Sequence, residues 1–388
     1  MDVSGHQRCL ALTRKVLALV IVALAVVALA IWWFTKPEPR LAAVSFTDLP
    51  GWQSADLRPA FAAFQKTCDA ISKKTSADTL NDYAGSVGDW QKICAHISGE
   101  ARAFFEKNFT PYRLGGEGLF TGYYEPEIHG SRERHDAFQT PVYGLPHDLI
   151  RVDLGQFSSQ FKGEHVAGRL DGQRLVPYAS RADIDAQGLA SARILFWCDD
   201  PVALFFLQIQ GSGRVRFEDG EMARIEYAGE NGRPYTAIGR ILVASGRIAR
   251  NEVSLENIRL WLKANPRLAQ SVMEADQSFV FFQEAPIGDP SLGSPGVENV
   301  ALTPMGSMAI DLRKNALGAP YYVAAAPVHA LLIAQDTGGA IRGPVRGDIF
   351  FGFGERAEKA AGGLKAQGRL YVLLPNDVAA RLGKSLAS

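Results

Sequence analysis

Two apolar runs that feed one glycine-rich loop constrain this chain more than any other feature. Residues 334–354 read A-Q-D-T-G-G-A-I-R-G-P-V-R-G-D-I-F-F-G-F-G. The run 328–334 delivers Asp336 into Thr337-Gly338-Gly339, and the run 349–353 leaves directly from Asp348. Two carboxylates therefore stand at strand ends. Five glycines from Gly338 to Gly352 let the backbone take positive φ and let a bulky ligand approach the main chain. A polar loop clamped between β segments costs conformational entropy and adds no core, so function is the reason to keep it.

The rest of the chain is β-rich. It has 388 residues, 38 glycines, 20 prolines and many short β-like runs, enough for two globular domains. Forty-one basic residues balance 41 acidic ones, so no net field draws the chain to nucleic acid.

Residues 16–34 are 19 uncharged, apolar positions, close to the length of a transmembrane helix. Arg8, Arg14 and Lys15 precede the run and Trp32 and Trp33 close it, which predicts a short cytoplasmic tail (1–15), an anchor (16–34), a linker (35–55) and a body outside the cytoplasm. A cleaved signal peptide is the rival, but the run exceeds the usual h-region and continues past Ala28-Leu29-Ala30. Both readings export the body. In it, Cys68 and Cys94 lie in helical-looking segments and fit either a disulfide or two buried thiols. No C-x-x-C or His pair has metal-ligand spacing.

Apolar residues recur at three and four positions from 56 to 109, predicting amphipathic helices. Residues 119–124 then read as a strand carrying Tyr123 and Tyr124 on opposite faces, which fits either one ring in the core and one on a groove suited to sugar rings or both packed as ordinary strand aromatics. Further on, 194–198 and 202–209 read as buried strands, the second placing Gln208 and Gln210 on one face before Gly211-Ser212-Gly213. Asn231-Gly232 is a hairpin signal, Ser180 and Ser254 are helix caps, and 279–282 is another strand. Asp311, Asp336 and Asp348 each end a β segment, and the two beside the glycine loop raise the prospect of a carboxyl with an elevated pKa serving as a general acid.

A-I-D-L-R-K-N-A-L-G-A-P-Y-Y-V, Q-D-T-G-G-A-I-R-G and D-I-F-F-G closely resemble the three-aspartate (3D) domain of the membrane-bound lytic murein transglycosylase A family. L-F-T-G-Y-Y-E-P, I-Q-G-S-G, Y-A-G-E-N-G-R-P-Y-T-A-I-G and S-F-V-F-F resemble the rest of that family in the same order, over roughly 56–375. The resemblance implies a mainly β protein: a double-psi β-barrel domain built from 56–127 and 283–388, with a second β-rich domain (128–282) inserted and a glycan groove between them. It implies Asp348 as the catalytic acid, Asp336 as a second acidic residue beside it, and Asp311 as a structural third. The chemistry of the residues in these motifs makes Thr121, Tyr123, Tyr124, Gln208, Gln210, Ser212, Gly213, Asn231, Gly338, Gly339 and Ala340 the candidate substrate contacts. The implied substrate is peptidoglycan, with cell-wall synthesis or division complexes as partners; the apolar run 16–34, where family members are typically lipid-anchored, places the chain in the inner membrane with a periplasmic body. No metal or organic cofactor is implied.

One acid is enough if the muramic acid's own C6 hydroxyl replaces water as nucleophile, because an intramolecular attacker needs no second carboxylate to activate water. A hydrolytic muramidase and a non-catalytic peptidoglycan-binding scaffold are the alternatives. Asp336-Thr337-Gly338 also matches the aspartic protease signature, yet no second D-[ST]-G exists in the chain.

Overall fold

The computed structural model describes residues 41–161 and 163–387. The apolar run 16–34 lies outside them, and no helix among the described residues is long and apolar enough to cross a membrane.

Six strands close into a barrel: β1 (Gly118–Glu125), β2 (Ser307–Ala309), β3 (Pro320–Ala325), β4 (Val328–Asp336), β5 (Arg346–Phe353) and β6 (Lys365–Pro375). Their order is β6-β3-β4-β2-β5-β1, and β1 pairs back onto β6 to shut the ring. The pairs β1–β5 and β2–β4 are parallel, the others antiparallel. The two apolar runs read from the sequence are buried in the barrel at Leu332, Ile333, Ile349 and Phe350, and Tyr321, Val323, Leu370 and Val372 of β3 and β6 are fully buried with them. Closure needs a bare backbone at Gly118, where a Cβ would come within 1.6 Å of the Val345 carbonyl oxygen. Register decides where the acids go. Asp348 lies opposite Thr121 on one side and Ala309 on the other, and Ala309 lies opposite Asp336.

Helices cover the barrel. Arg58–Ile71 packs on β4, and the buried amide of Gln335 seals the contact by donating to Ala63 O (2.8 Å) and Thr67 Oγ1 (2.9 Å). A disulfide between Cys68 and Cys94 ties that helix to Val87–Cys94, choosing the bridge over the two-thiol alternative.

Between β1 and β2 the chain builds a second sheet of six strands, in the order Val280–Ala285, Met222–Glu230, Gly213–Phe217, Glu127–Ser131, Ile194–Cys198 and Thr140–Tyr143. Ile128, Phe196, Val215, Ile225 and Phe282 form its core. The caps read from the sequence are present: Ser180 accepts from Asp183 N, and Ser254 accepts from Asn257 N at 3.1 Å.

Two expectations fail here. The run 202–209 is no strand but most of the helix Pro201–Gln210. Asp200 caps it by accepting from Val202 N (2.9 Å) and Ala203 N (3.0 Å), Pro201 opens its first turn, and Gly211 at φ 84° ends it. The helix is apolar all round because it is buried on two sides: Leu204 and Leu207 join the sheet core, while Phe205 and Phe206 join the helices Ile238–Ala244 and Leu255–Ala264. That erases the 3.6-residue pattern and leaves a β-like run. Asn231-Gly232 makes no hairpin either, since the strand Met222–Glu230 passes through residues 231–237, which form no regular element, into the helix Ile238–Ala244.

Candidate active site

Alternation along β1 aims Thr121, Tyr123 and Glu125 to one face, and each meets a different partner. Thr121 Oγ1 donates to Asp348 Oδ1 at 2.5 Å. Tyr123 Oη donates to Asp336 Oδ2 at 2.9 Å. Glu125 is fully buried, accepts from Ser294 N at 2.5 Å, and lies 3.5 Å from Arg214 Nε of the inserted sheet. One strand thus links both loop aspartates to the point where the inserted segment joins the barrel.

The two aspartates differ in environment. Both are partly accessible at their strand ends. Burial pushes Asp348 above the usual carboxylate range, opposed in part by the Thr121 hydroxyl and the Arg346 charge. Burial pushes Asp336 up to about 6; the Thr337 backbone, Tyr123 and the Val297 N–H oppose this, and the charge of Asp348 adds to it. Val297 N reaches Asp336 Oδ1 at 3.3 Å, so both Asp336 oxygens are engaged, whereas Asp348 Oδ2 has no partner among the described residues. A carboxyl of raised pKa with one free oxygen at a surface is equipped to deliver and reclaim a proton.

Asp311 does something else. Its Oδ2 accepts from Gly343 N at 2.8 Å and its Oδ1 from Arg313 Nε at 3.1 Å. Burial alone would raise its pKa, but these bonds outweigh it and hold the carboxyl below its ordinary value. Gly343 sits at φ 109°, a conformation that favours glycine. Thr337 Oγ1 bonded to Ile310 O (2.8 Å) and Ile341 N bonded to Gly338 O (3.0 Å) complete the bracing. The loop keeps Gly339 and Ala340 exposed at its crest, with Gly338 half-buried beside them.

The remaining sequence-selected residues divide sharply. Tyr123 is no exposed platform: its ring packs on Phe350 at 5.2 Å, and only its hydroxyl serves the site. Tyr124 is buried against Ala357 and Ala361, its hydroxyl accepting from Arg259 Nη2 at 3.0 Å. Gln208 is buried in the helix, accepting from Arg181 and donating to Val280 O at 3.3 Å. Gln210 is half-buried and accepts from Tyr124 N at 3.2 Å, which keeps it beside β1. Ser212 lies 3.5 Å from Glu125, and a Cβ on Gly213 would meet Leu207 and the Pro126 carbonyl. Asn231 is wholly buried among backbone groups of 179, 233, 277 and 279.

Sequence reasoning missed Glu125, Arg346 and the Val297 N–H. Glu125 carried a signal, since it follows Thr121 and Tyr123 at the same two-residue spacing. Among the described residues no group of three or more His, Cys, Asp or Glu side chains is placed to hold a metal ion.

The MltA specific insert domain matches residues 119–283, and the 3D domain matches 306–374. The chain is 31% identical over 273 residues to membrane-bound lytic murein transglycosylase A of Vibrio cholerae, and 30% identical over 278 residues to that of Escherichia coli K12. Each match covers 66% of this chain and 66% of the relative, so about two thirds of those relatives' length is spanned. A membrane-bound lytic murein transglycosylase from Agrobacterium tumefaciens superposes with TM-score 0.78 at 30% identity, covering 88% of this chain and 99% of that one. MltA from Neisseria gonorrhoeae superposes with TM-score 0.71 at 31% identity, covering 88% and 96%.

Proposed function

Because this chain belongs to the membrane-bound lytic murein transglycosylase A family, with a 3D domain, we propose that it is a peptidoglycan lytic transglycosylase in which Asp348 alone serves as acid and base. The observation that carries the reading is the free Oδ2 of Asp348 beside a second carboxylate whose two oxygens are both engaged. Of the two, Asp348 alone keeps an oxygen that no protein group among the described residues occupies.

In this scheme the protonated form of Asp348, favoured by burial, donates its proton to the glycosidic oxygen of a MurNAc–GlcNAc β-1,4 bond as the C1–O bond breaks. The C6 hydroxyl of the same muramic acid then attacks C1 and returns a proton to Asp348. The products are a free GlcNAc 4-hydroxyl and a 1,6-anhydro-MurNAc end, with no water consumed. Asp336, held by Tyr123 and Val297, supplies negative potential to an oxocarbenium-like transition state, while the backbone at Gly338, Gly339 and Ala340 offers N–H groups to the sugar. The glycan lies between the barrel, a double-psi barrel formed from 56–127 and 283–388, and the inserted domain 128–282. Residues 16–34 anchor the enzyme in the inner membrane with this body in the periplasm, in keeping with the membrane-bound names of its relatives.

Mass spectrometry of fragments released from purified peptidoglycan by the detergent-solubilised full chain tests the reading. Products ending in 1,6-anhydro-muramic acid are expected. Reducing ends would make the protein a hydrolytic muramidase, and binding without products would make it a scaffold.

A further inference from the structure

Arg346 lies two residues before Asp348 on β5 and is half-buried. Its guanidinium donates to the carbonyls of Leu119 (3.2 Å) and Gly347 and, through Nη2, to Thr121 Oγ1 at 2.8 Å. None of these partners is a carboxylate. The Thr121 bond has a chemical consequence. A guanidinium can only donate, so the hydroxyl oxygen must accept there, and its one proton is committed to Asp348 Oδ1. Oδ1 accepts that proton whether Asp348 is charged or neutral. With no other acceptor for the Thr121 proton among the described residues, Oδ1 keeps that bond and the acid proton takes Oδ2, the oxygen free to meet a ligand.

We propose that Arg346 is a positioning residue for the reaction: through Thr121 it fixes which oxygen of Asp348 carries the transferable proton, and its charge stabilises the carboxylate left after that proton is given up. This rests on the reading of Asp348 as the acid. The electrostatics agree, because the Arg346 charge acts on Asp348 against burial, and the charge of Asp348 acts in return against the burial that lowers the Arg346 pKa. A general acid must be protonated to work, so turnover falls as pH rises through its pKa. Removing the positive charge makes the carboxyl harder to ionise and moves that fall to higher pH.

The test is the pH dependence of kcat and KM for the full chain acting on purified glycan strands. In Arg346→Met, kcat is expected to drop about tenfold and the basic limb to rise by about one pH unit, one unit being ~1.4 kcal/mol of differential interaction. Arg346→Lys keeps the charge, so its limb stays within about 0.3 unit of the parent. Thr121→Val leaves Arg346 in place, removes the relay and moves the limb in the same direction, while Thr121→Ser restores it; this pair decides the matter if Arg346→Met does not fold. A raised KM with an unmoved limb in Arg346→Met would make Arg346 a substrate contact and overturn the proposal. Equal losses in the Met and Lys variants with unmoved limbs would make it structural and overturn the proposal equally. Asp348→Asn separates the two levels of argument: an inactive Asn variant beside an unmoved Arg346→Met limb defeats this inference alone, whereas an active Asn variant defeats the reading of Asp348 beneath it.

Discussion

The barrel row around Asp348 and the inserted segment around Asn231 draw on similar polar side chains and put them to opposite uses. Asn231 donates to Ala179 O and Gln277 O, both at 2.9 Å, and accepts from Phe279 N at 2.9 Å and Arg233 N at 3.2 Å. Its whole hydrogen-bonding capacity is consumed inside the protein, with no surface left. Gln208 is committed in the same way to Arg181 and Val280. Asp348 commits one oxygen and keeps the other, at a partly accessible strand end. What separates the proposed catalytic group from a scaffold group here is the capacity left over after internal bonding, and not residue type or motif membership.

Three substitutions sharpen or break that contrast. Asp348→Asn retains an oxygen for Thr121 and loses the exchangeable proton; turnover should fall about 10³-fold with the thermal unfolding midpoint nearly unchanged, as general acid–base contributions of ~10²–10⁴-fold indicate. Substantial activity in this variant would transfer the acid role to Asp336. Asn231→Ala should do the reverse. It orphans two buried N–H groups and two carbonyls, so denaturant unfolding should show a loss of about 3 kcal/mol, while the fraction still folded turns over normally. A stable Asn231→Ala protein with a raised KM would instead return Asn231 to the substrate site. Asp336→Asn lies between them: roughly 10- to 100-fold off kcat for the lost charge, with the cleavage product unchanged in single-turnover assays. A change of product to reducing ends would show that Asp336 governs water as well as charge.

How much of this the sequence disclosed follows from the range of each interaction. The strand ends bearing Asp311, Asp336 and Asp348 were legible because apolar runs and glycine punctuation are local signals. The helix Pro201–Gln210 was misread because burial on two sides removed its polar stripe, although Asp200-Pro201 and Gly211 carried the correct boundaries. Asn231 looked like a turn residue because the partners that saturate it come from 179, 277 and 279. The tyrosine pair was read as opposed across β1 with one ring open to a groove, yet both rings are buried and Tyr123 offers only its hydroxyl, since strand alternation gives a direction and says nothing of Phe350 packing over the ring. The parallel pairing of β1 with β5 has no local signature at all.

That pairing governs when the enzyme comes into being. Thr121 and Asp348 meet across 227 residues of chain, while the inserted sheet pairs its strands among themselves, from Glu127–Ser131 to Val280–Ala285. A chain emerging from its N-terminus can consolidate that sheet first and must hold β1 with open edges until the last third arrives. The Thr121–Asp348 pair is assembled last. A chain truncated before β5 has no Asp348 and no closed barrel, so an incomplete product lacks the acid proposed for cutting the wall.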